Sequence, residues 1–236
     1  MQSRGKKARA VFLAGLVCAV LLSVPCSAIR YLDVELTNQH YGIVKQATIL
    51  GLLHGMDNRT FMLDEPVTRG QMAQALYNRY GSRTTQTYQF YDVPDEAWYA
   101  AAIAWANETG VMEVIGNGKF DPEGTMTIEQ IAAVLYGFAG RPEVNVNAVL
   151  AGYADYGEVS QWSRSAMAWA IQNAVVKPAD GGLLRPGKVA SRADLAQIMV
   201  NFVKKIGKGP DQIARELLYS TFENNSIEIE EGVQEN

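Results

Sequence analysis

The sequence predicts an all-α protein made of three tandem helix–loop–helix repeats. A helix start recurs at Thr68–Gln71, Thr127–Gln130 and Ser191–Asp194, where a hydroxyl residue is followed three positions later by an amide or an acid. Apolar residues then recur at the i, i+3, i+4 spacing of an amphipathic helix. The starts lie about 60 residues apart, which indicates copies of one unit. Such an architecture favours binding over catalysis.

Residues 1–28 are predicted to be a secretory signal peptide. A basic head at Arg4–Arg9 precedes an apolar run from 10 to 24, and small residues follow at Cys26–Ala28. The run is shorter than the about 20 residues that a membrane span needs, although a membrane-anchoring helix is the alternative interpretation. Four of the 21 basic residues and both cysteines lie in this segment.

The chain expected after cleavage is acidic and has no cysteine. Its net charge would change from −4 to −8, because four basic residues are lost while the 25 acidic residues stay. Disulfides, a thiol nucleophile and cysteine-ligated metals are therefore not expected. An acidic protein without basic runs is also a poor candidate for binding nucleic acid.

The three repeats are predicted at 29–86, 87–149 and 150–208, followed by a C-terminal helix and acidic tail at 209–236. Each repeat begins with an aromatic residue and an aspartate, continues with a first helix, and passes through a loop to the capped second helix. Glycine just past the end of the first helix is the expected stop, because it accepts positive φ without steric cost. The lead aspartates are Asp33, Asp92 and Asp155, and the stops are expected near Gly51, Gly110 and Ala174.

These motifs together resemble the S-layer homology domain family. The resemblance is carried by the aromatic-Tyr-Asp-Val lead at 90–93, Trp98–Tyr99, Ala102–Ile103, the Gly-Lys-Phe-Asp-Pro segment at 118–122 and the helix start at Thr68–Gln71. It covers almost the whole chain after the predicted signal peptide. Three tandem copies after such a peptide are the usual arrangement in that family.

The resemblance implies a pseudo-threefold spindle around a central helical bundle. It implies a secreted protein of the cell wall or S-layer that binds a secondary cell-wall polymer, often a pyruvylated polysaccharide linked to peptidoglycan, in grooves between the prongs. The family's functional residues are the lead aspartate, an aromatic residue on the first helix, a glycine before the loop and an arginine at the second helix start. In this sequence they correspond to Asp33, Asp92, Asp155, Trp98, Trp162, Gly55, Arg69 and Arg192.

The arginines also stand out on electrostatic grounds. Arg69 and Arg192 are predicted in the first turn of a helix, where the electropositive helix end disfavours a cation. An anionic ligand would offset that cost, since a helix N-terminus with an added guanidinium fork suits a carboxylate or phosphate. An ion pair with a nearby aspartate, or a solvated side chain, is the alternative interpretation.

No single repeat carries the whole set of candidate residues. The second repeat has Ile128 in place of the arginine, and the first has Gln39 in place of the tryptophan. The glycine before the loop, Gly55, is replaced by Val114 and Pro178 in the other repeats. If each groove draws residues from adjoining repeats, the set could still be assembled between them, and we expect at most two competent grooves.

The aromatic and acidic candidates each allow two interpretations. Trp98 and Trp162 could stack on sugar rings, whereas Trp105 and Trp169 lie seven residues further on, a spacing of about two helical turns that favours packing. The lead aspartates could bind sugar hydroxyls, or they could cap the following helix or an adjacent turn.

The function predicted is non-catalytic anchoring to the bacterial cell wall. Motifs for nucleophilic catalysis, phosphate cradles or dinucleotide binding are not found, and two histidines offer no metal-ligand spacing, so neither an enzyme nor a cofactor is expected. The expected partner is the wall polysaccharide, with another envelope protein as a further candidate. The alternative is a structural or protein-interaction module that has lost wall binding.

Overall fold

The computed structural model describes residues 31–57, 59–84 and 90–206, and within them the predicted all-α class is confirmed. This part of the chain contains seven α-helices and only isolated β-bridges, with no strand. The predicted signal peptide and the C-terminal helix and tail lie outside it. The helices are α1 Tyr41–Ile49, α2 Arg69–Tyr80, α3 Ala100–Glu108, α4 Ile128–Phe138, α5 Val146–Leu150, α6 Arg164–Gln172 and α7 Arg192–Ile206.

The three predicted helix starts are confirmed by their side-chain caps. The Thr68 hydroxyl accepts a hydrogen bond from the Gln71 N–H at 3.2 Å. Thr127 and Gln130 form a reciprocal capping box, and Ser191 accepts from the Asp194 N–H while the Asp194 carboxylate accepts from the Ser191 N–H. Since each bond satisfies a backbone donor that the helix leaves unpaired, these residues fix where α2, α4 and α7 begin.

The first helix of each repeat ends where the sequence predicts. Gly51, Gly110 and Ala174 follow α1, α3 and α6 with φ values of 68°, 67° and 54°. In each case the next N–H donates back to a carbonyl five residues earlier, for example Val111 N–H to Ala106 at 2.9 Å. This arrangement satisfies carbonyls of the last helical turn and turns the chain into the loop. Ala174 adopts the left-handed conformation without being glycine.

The helices pack in a cyclic order that closes the three repeats on one another. The first helix of each repeat lies against the second helix of the preceding one: α3 on α2, α6 on α4, and α1 on α7. The last pair joins the first repeat to the third. Because each first helix has its main helical partner in another repeat, each repeat needs a neighbour to bury its apolar face.

A ring of three backbone hydrogen bonds marks the pseudo-threefold centre. Val67 N–H donates to the Ala190 carbonyl at 2.8 Å, Ala190 N–H to Met126 at 2.9 Å, and Met126 N–H to Val67 at 2.9 Å. The three residues are buried and directly precede the capped helix starts. The ring therefore brings the three starts together, whereas the spindle outline implied by the resemblance stays a prediction.

Aromatic side chains fill the interior between the second helices. Phe138 on α4 and Phe202 on α7 have ring centroids 5.8 Å apart, and Trp105 and Trp169 lie within 6.4 Å of one or the other. Both tryptophans are at most 6% exposed. Their predicted role in packing is confirmed.

Candidate functional site

Each lead aspartate holds the loop of its own repeat. The Asp155 carboxylate accepts the N–H groups of Leu184 at 2.9 Å and Arg185 at 2.7 Å. Asp92 accepts those of Phe120 and Asp121 in the same way. Asp33 accepts those of Phe61 and Met62 at 2.8 and 2.6 Å. The second donor in each loop has a positive φ, namely 60° for Met62, 59° for Asp121 and 47° for Arg185.

Of the two interpretations left open for these aspartates, the geometry matches the capping of an adjacent turn. A non-glycine residue at positive φ is strained, and two charge-assisted hydrogen bonds to one carboxylate offset that strain. Burial alone would raise the pKa of Asp92 and Asp155, but the loop N–H groups outweigh it and hold both pKa values below the ordinary range. Sugar contact by these carboxylates stays a prediction.

Arg192 and Arg69 each reach into the loop of another repeat. Arg192, which is 3% exposed, donates from Nε to the Phe61 carbonyl at 2.8 Å and from Nη2 to the His54 carbonyl at 2.6 Å. Its guanidinium lies 4.7 Å from the centre of the Phe61 ring. Desolvation lowers the pKa of this group, although Asp33 nearby opposes the change.

Arg69 makes the equivalent contacts between the first repeat and the loop of the second. Nε donates to the Phe120 carbonyl and Nη2 to the Glu113 carbonyl, both at 2.8 Å, and the guanidinium lies 4.7 Å from the Phe120 ring centre. Arg69 is half-buried, and desolvation lowers its pKa as well. The two arginines therefore act as equivalent clamps between repeats.

This arrangement corrects the electrostatic hypothesis in one respect. The first-turn N–H groups are not free for an anion, because Arg69 N–H donates to the Gly124 carbonyl and Gly70 N–H to Pro122. The corresponding groups of α7, at Arg192 and Ala193, donate to Glu65 and Leu63. Among the described contacts, backbone carbonyls and an aromatic face compensate each guanidinium, in place of the ion pair considered as an alternative. The Nη1 group of each arginine takes part in none of the described hydrogen bonds, so its N–H groups remain available as donors to a ligand.

A groove lies beside each arginine. Groove A has a volume of about 450 Å³, and its walls include residues 52–56 of the first loop, Gln71, Trp98 and Arg192. The loop and Gln71 come from the first repeat, Trp98 from the second and Arg192 from the third. The closure of the three repeats therefore brings together Arg192, Trp98 and Gly55, which the sequence analysis had selected from three different repeats.

Groove B has a volume of about 680 Å³, and its walls include residues 110–115 of the second loop, Gln130, Arg141, Trp162 and Arg69. It too contains residues of all three repeats. Trp98 is 60% exposed and Trp162 is 62% exposed. Both indoles thus stay accessible at a groove, unlike Trp105 and Trp169.

The third junction has a different composition. Ile128 occupies the position of the arginine and is 6% exposed. The cavity beside it, about 100 Å³, is lined by Ile128, Lys177, Lys188 and Asp194, among others, and by no aromatic residue. Lys188 is paired with Asp194 at 2.7 Å. The departure noted in the sequence therefore corresponds to a smaller cavity that lacks an indole, and whose one arginine, Arg185, comes from the third loop and not from a helix start.

Gly55 is required by close packing. A Cβ built on it would lie 2.4 Å from the Asp57 carbonyl oxygen and 2.6 Å from that of Thr60. Contacts this short with backbone atoms leave no room for a side chain. Gly55 therefore shapes the floor of groove A, whereas the equivalent Val114 is 41% exposed at groove B.

Gln71 and Arg141 also line the grooves and were not selected from the sequence. The sequence pattern marks Gln71 only as part of a helix start, and it does not single out Arg141. Their distance in sequence from the other groove residues gives no periodic signal. Within the described ranges, no helix has the length and apolar character for crossing a membrane, and no cluster of three or more metal-binding side chains occurs.

Comparison with known proteins gives a family match for two segments of the chain. A family model described as S-layer homology domain matches residues 89–132 and 152–196. The Surface-layer 125 kDa protein of Lysinibacillus sphaericus is 24% identical over 215 residues, which cover 88% of this chain and 18% of that protein. The Cell surface protein of Thermoanaerobacter kivui is 28% identical over 109 residues, 44% of this chain and 14% of that protein.

An enzyme also appears among the relatives. The Amylopullulanase of Thermoanaerobacterium thermosulfurigenes is 28% identical over 163 residues, which cover 66% of this chain and only 8% of that protein. The chain spans less than a fifth of the length of each of these three relatives, so their whole activities do not transfer to it.

The matches and the geometry agree on the kind of protein. Surface-layer and cell-surface relatives indicate a secreted protein of the cell surface. The matched domain is a non-catalytic module for anchoring to the cell wall. Residues 89–132 and 152–196, within the second and third predicted repeats, are thus similar to the S-layer homology domain family.

Proposed function

We propose that this chain anchors itself to the bacterial cell wall by binding an anionic, pyruvylated secondary wall polysaccharide in grooves A and B. The observation that carries the proposal is the pairing of an arginine with an exposed indole at both grooves: Arg192 with Trp98, and Arg69 with Trp162. The smaller third cavity has an arginine, Arg185, but no aromatic side chain beside it.

The chemistry of the two grooves suits an acidic sugar. A pyruvate ketal carries one carboxylate, and the Nη1 donors of Arg69 or Arg192 can form charge-assisted hydrogen bonds to it. An indole face offers apolar surface to the C–H groups of a sugar ring. Carbonyls already fix each guanidinium in place, so little side-chain entropy is lost on binding.

Local rather than overall charge must attract the polymer. The chain has a net charge of −4, so the protein as a whole repels a polyanion. Salt screens the repulsion between the net charges of protein and polymer, whereas the direct contact with two buried or half-buried guanidiniums is screened much less. Two grooves on one module would also raise the avidity for a polymer that can occupy both.

The test is retention on purified cell-wall sacculi, with and without removal of the secondary polymer. Trp98→Ala and Trp162→Ala change exposed side chains, so they should leave the fold intact. We expect each single variant to weaken retention by about tenfold, as loss of one favourable aromatic contact would, and the double variant to abolish it. Tyr91→Ala is the matched control, since Tyr91 is 89% exposed and lies outside the walls of both grooves.

Retention of the double variant at the wild-type level would contradict the assignment of these grooves. Failure of the wild-type protein to bind any sacculi would favour the alternative, a structural module of the envelope. Retention that survives removal of the secondary polymer would point to peptidoglycan itself as the ligand.

A further inference from the structure

The side chain of Gln71 sets groove A apart from the other two junctions. Gln71 is only 9% exposed, and its Nε2 donates to the Met56 sulfur at 3.5 Å. Its Oε1 atom is buried and has no hydrogen-bond partner among the described residues. Buried polar atoms are nearly always paired, so an unpaired acceptor on the wall of a groove indicates a missing donor.

The equivalent positions at the other junctions do not share this property. Gln130 in groove B is held in a capping box, where its Oε1 accepts the Thr127 N–H at 2.9 Å. Asp194 at the third junction accepts from Ser191 and pairs with Lys188. In the first repeat, the Gln71 side chain does not return to the backbone of Thr68, and the side chain is left to line the groove. The difference is thus specific to groove A.

We propose that Gln71 Oε1 accepts a hydrogen bond from a hydroxyl of the ligand in groove A, beside the acidic group held at Arg192. Groove A then prefers a sugar that carries a hydrogen-bond donor next to its carboxylate, whereas binding in groove B does not depend on that donor. The two grooves recognise different features of the polymer. This inference rests on the sugar binding proposed above.

The experiment compares two kinds of probe at the two grooves. One is the methyl glycoside of a hexose that carries a pyruvate ketal and free hydroxyls, and the others are its mono-O-methyl ethers. Each ether keeps an oxygen but loses one donor. The indole N–H signals of Trp98 and Trp162 in nuclear magnetic resonance spectra report grooves A and B separately. We expect one ether to bind groove A about tenfold more weakly than the parent sugar, with less than about twofold change at groove B.

Variants of the glutamine then identify the acceptor. Gln71→Met keeps the size of the side chain without an oxygen, so groove A should bind the parent sugar and the ether equally. Gln71→Glu keeps an acceptor, so the tenfold ratio should persist even if the added charge weakens both probes. Gln74→Met is the matched control: Gln74 lines the same groove but donates to Asn78 at 2.6 Å, and the ratio should not change.

The outcomes separate this inference from the proposed function. A tenfold ratio that persists in Gln71→Met, or one that appears equally at groove B, would overturn the role of Gln71 while leaving sugar binding intact. If neither indole signal responds to any probe, sugar binding itself fails, and the role of Gln71 fails with it. Unchanged indole signals in the free variants establish that the fold is retained.

Discussion

Replacement of Arg192 by isoleucine tests whether the groove arginine is also a structural clamp. The change copies the residue that stands at the equivalent position, Ile128, and keeps apolar cover over the Phe61 ring. It removes the two hydrogen bonds by which α7 holds the first loop, to the carbonyls of Phe61 and His54. The affected pair, α7 and the first repeat, closes the ring of repeats.

The magnitude follows from the surroundings of the two carbonyls. Hydrogen bonds to a charged group contribute about 1.5–3 kcal/mol each. Phe61 is fully buried, so its carbonyl has little access to water and its bond should count for about 2 kcal/mol. His54 is exposed, so water can replace the guanidinium there and the loss should be about 1 kcal/mol. Loss of the contact with the Phe61 ring adds about 0.5 kcal/mol, for a total of about 3–4 kcal/mol.

Urea unfolding followed by tryptophan fluorescence measures this loss. With a slope of about 2 kcal/mol per molar urea, the midpoint should fall by about 1.5–2 M. Lys205→Ile is the control for loss of a cation on α7; Lys205 is exposed, so its replacement should change stability by at most about 0.5 kcal/mol. A loss below about 1 kcal/mol for Arg192→Ile would refute the clamp.

Three further predictions concern a loop and two helix ends. Asp155→Asn should destabilise the fold by about 2–4 kcal/mol, because an amide cannot accept both N–H groups of the buried turn at Leu184. The pKa of Asp155 is lower in the folded than in the unfolded chain, so its contribution to stability is present above about pH 4 and is lost as the pH falls through the folded pKa. In a plot of stability against pH, the variant should therefore lose less stability than the wild type on the acid side. An unchanged acid side would contradict the role of Asp155. Gly110→Ala should destabilise by about 1 kcal/mol through φ strain alone, since a Cβ there meets no atom within 4 Å. Ala174→Gly should instead be neutral or stabilising in thermal melts, and a loss of stability there would argue against strain at φ 54°.

Most of the fold was predictable because its signals are local. The caps at Thr68, Thr127 and Ser191 lie within three residues of the groups they bond, and the stops at Gly51 and Gly110 depend on the φ of one residue. The spacing that separates Trp105 and Trp169 from the exposed tryptophans is likewise a property of one helix. The short helix α5 was not predicted; it falls in a segment that reads as a polar connector.

The candidate site was predictable only as a set of residues. The sequence singled out Arg69, Arg192, Trp98 and Trp162 as positions, and it marked Ile128 as a departure. It could not show that each arginine is already bound to carbonyls of another repeat, which removes the free helix end from the electrostatic hypothesis. It also could not show that Gln71 faces a groove, because a capping glutamine and an unpaired one have the same sequence pattern.

The sequence by itself determined the number of repeats, the helix starts and stops, and which junction differs from the other two. Only the tertiary structure decided which residues meet, since the Arg192 guanidinium and the His54 carbonyl are 138 positions apart in sequence. The physical reason is the cyclic packing: each first helix buries its face on the preceding repeat, and α1 does so on the third. A groove between repeats is therefore a product of closure, and no local pattern encodes its composition.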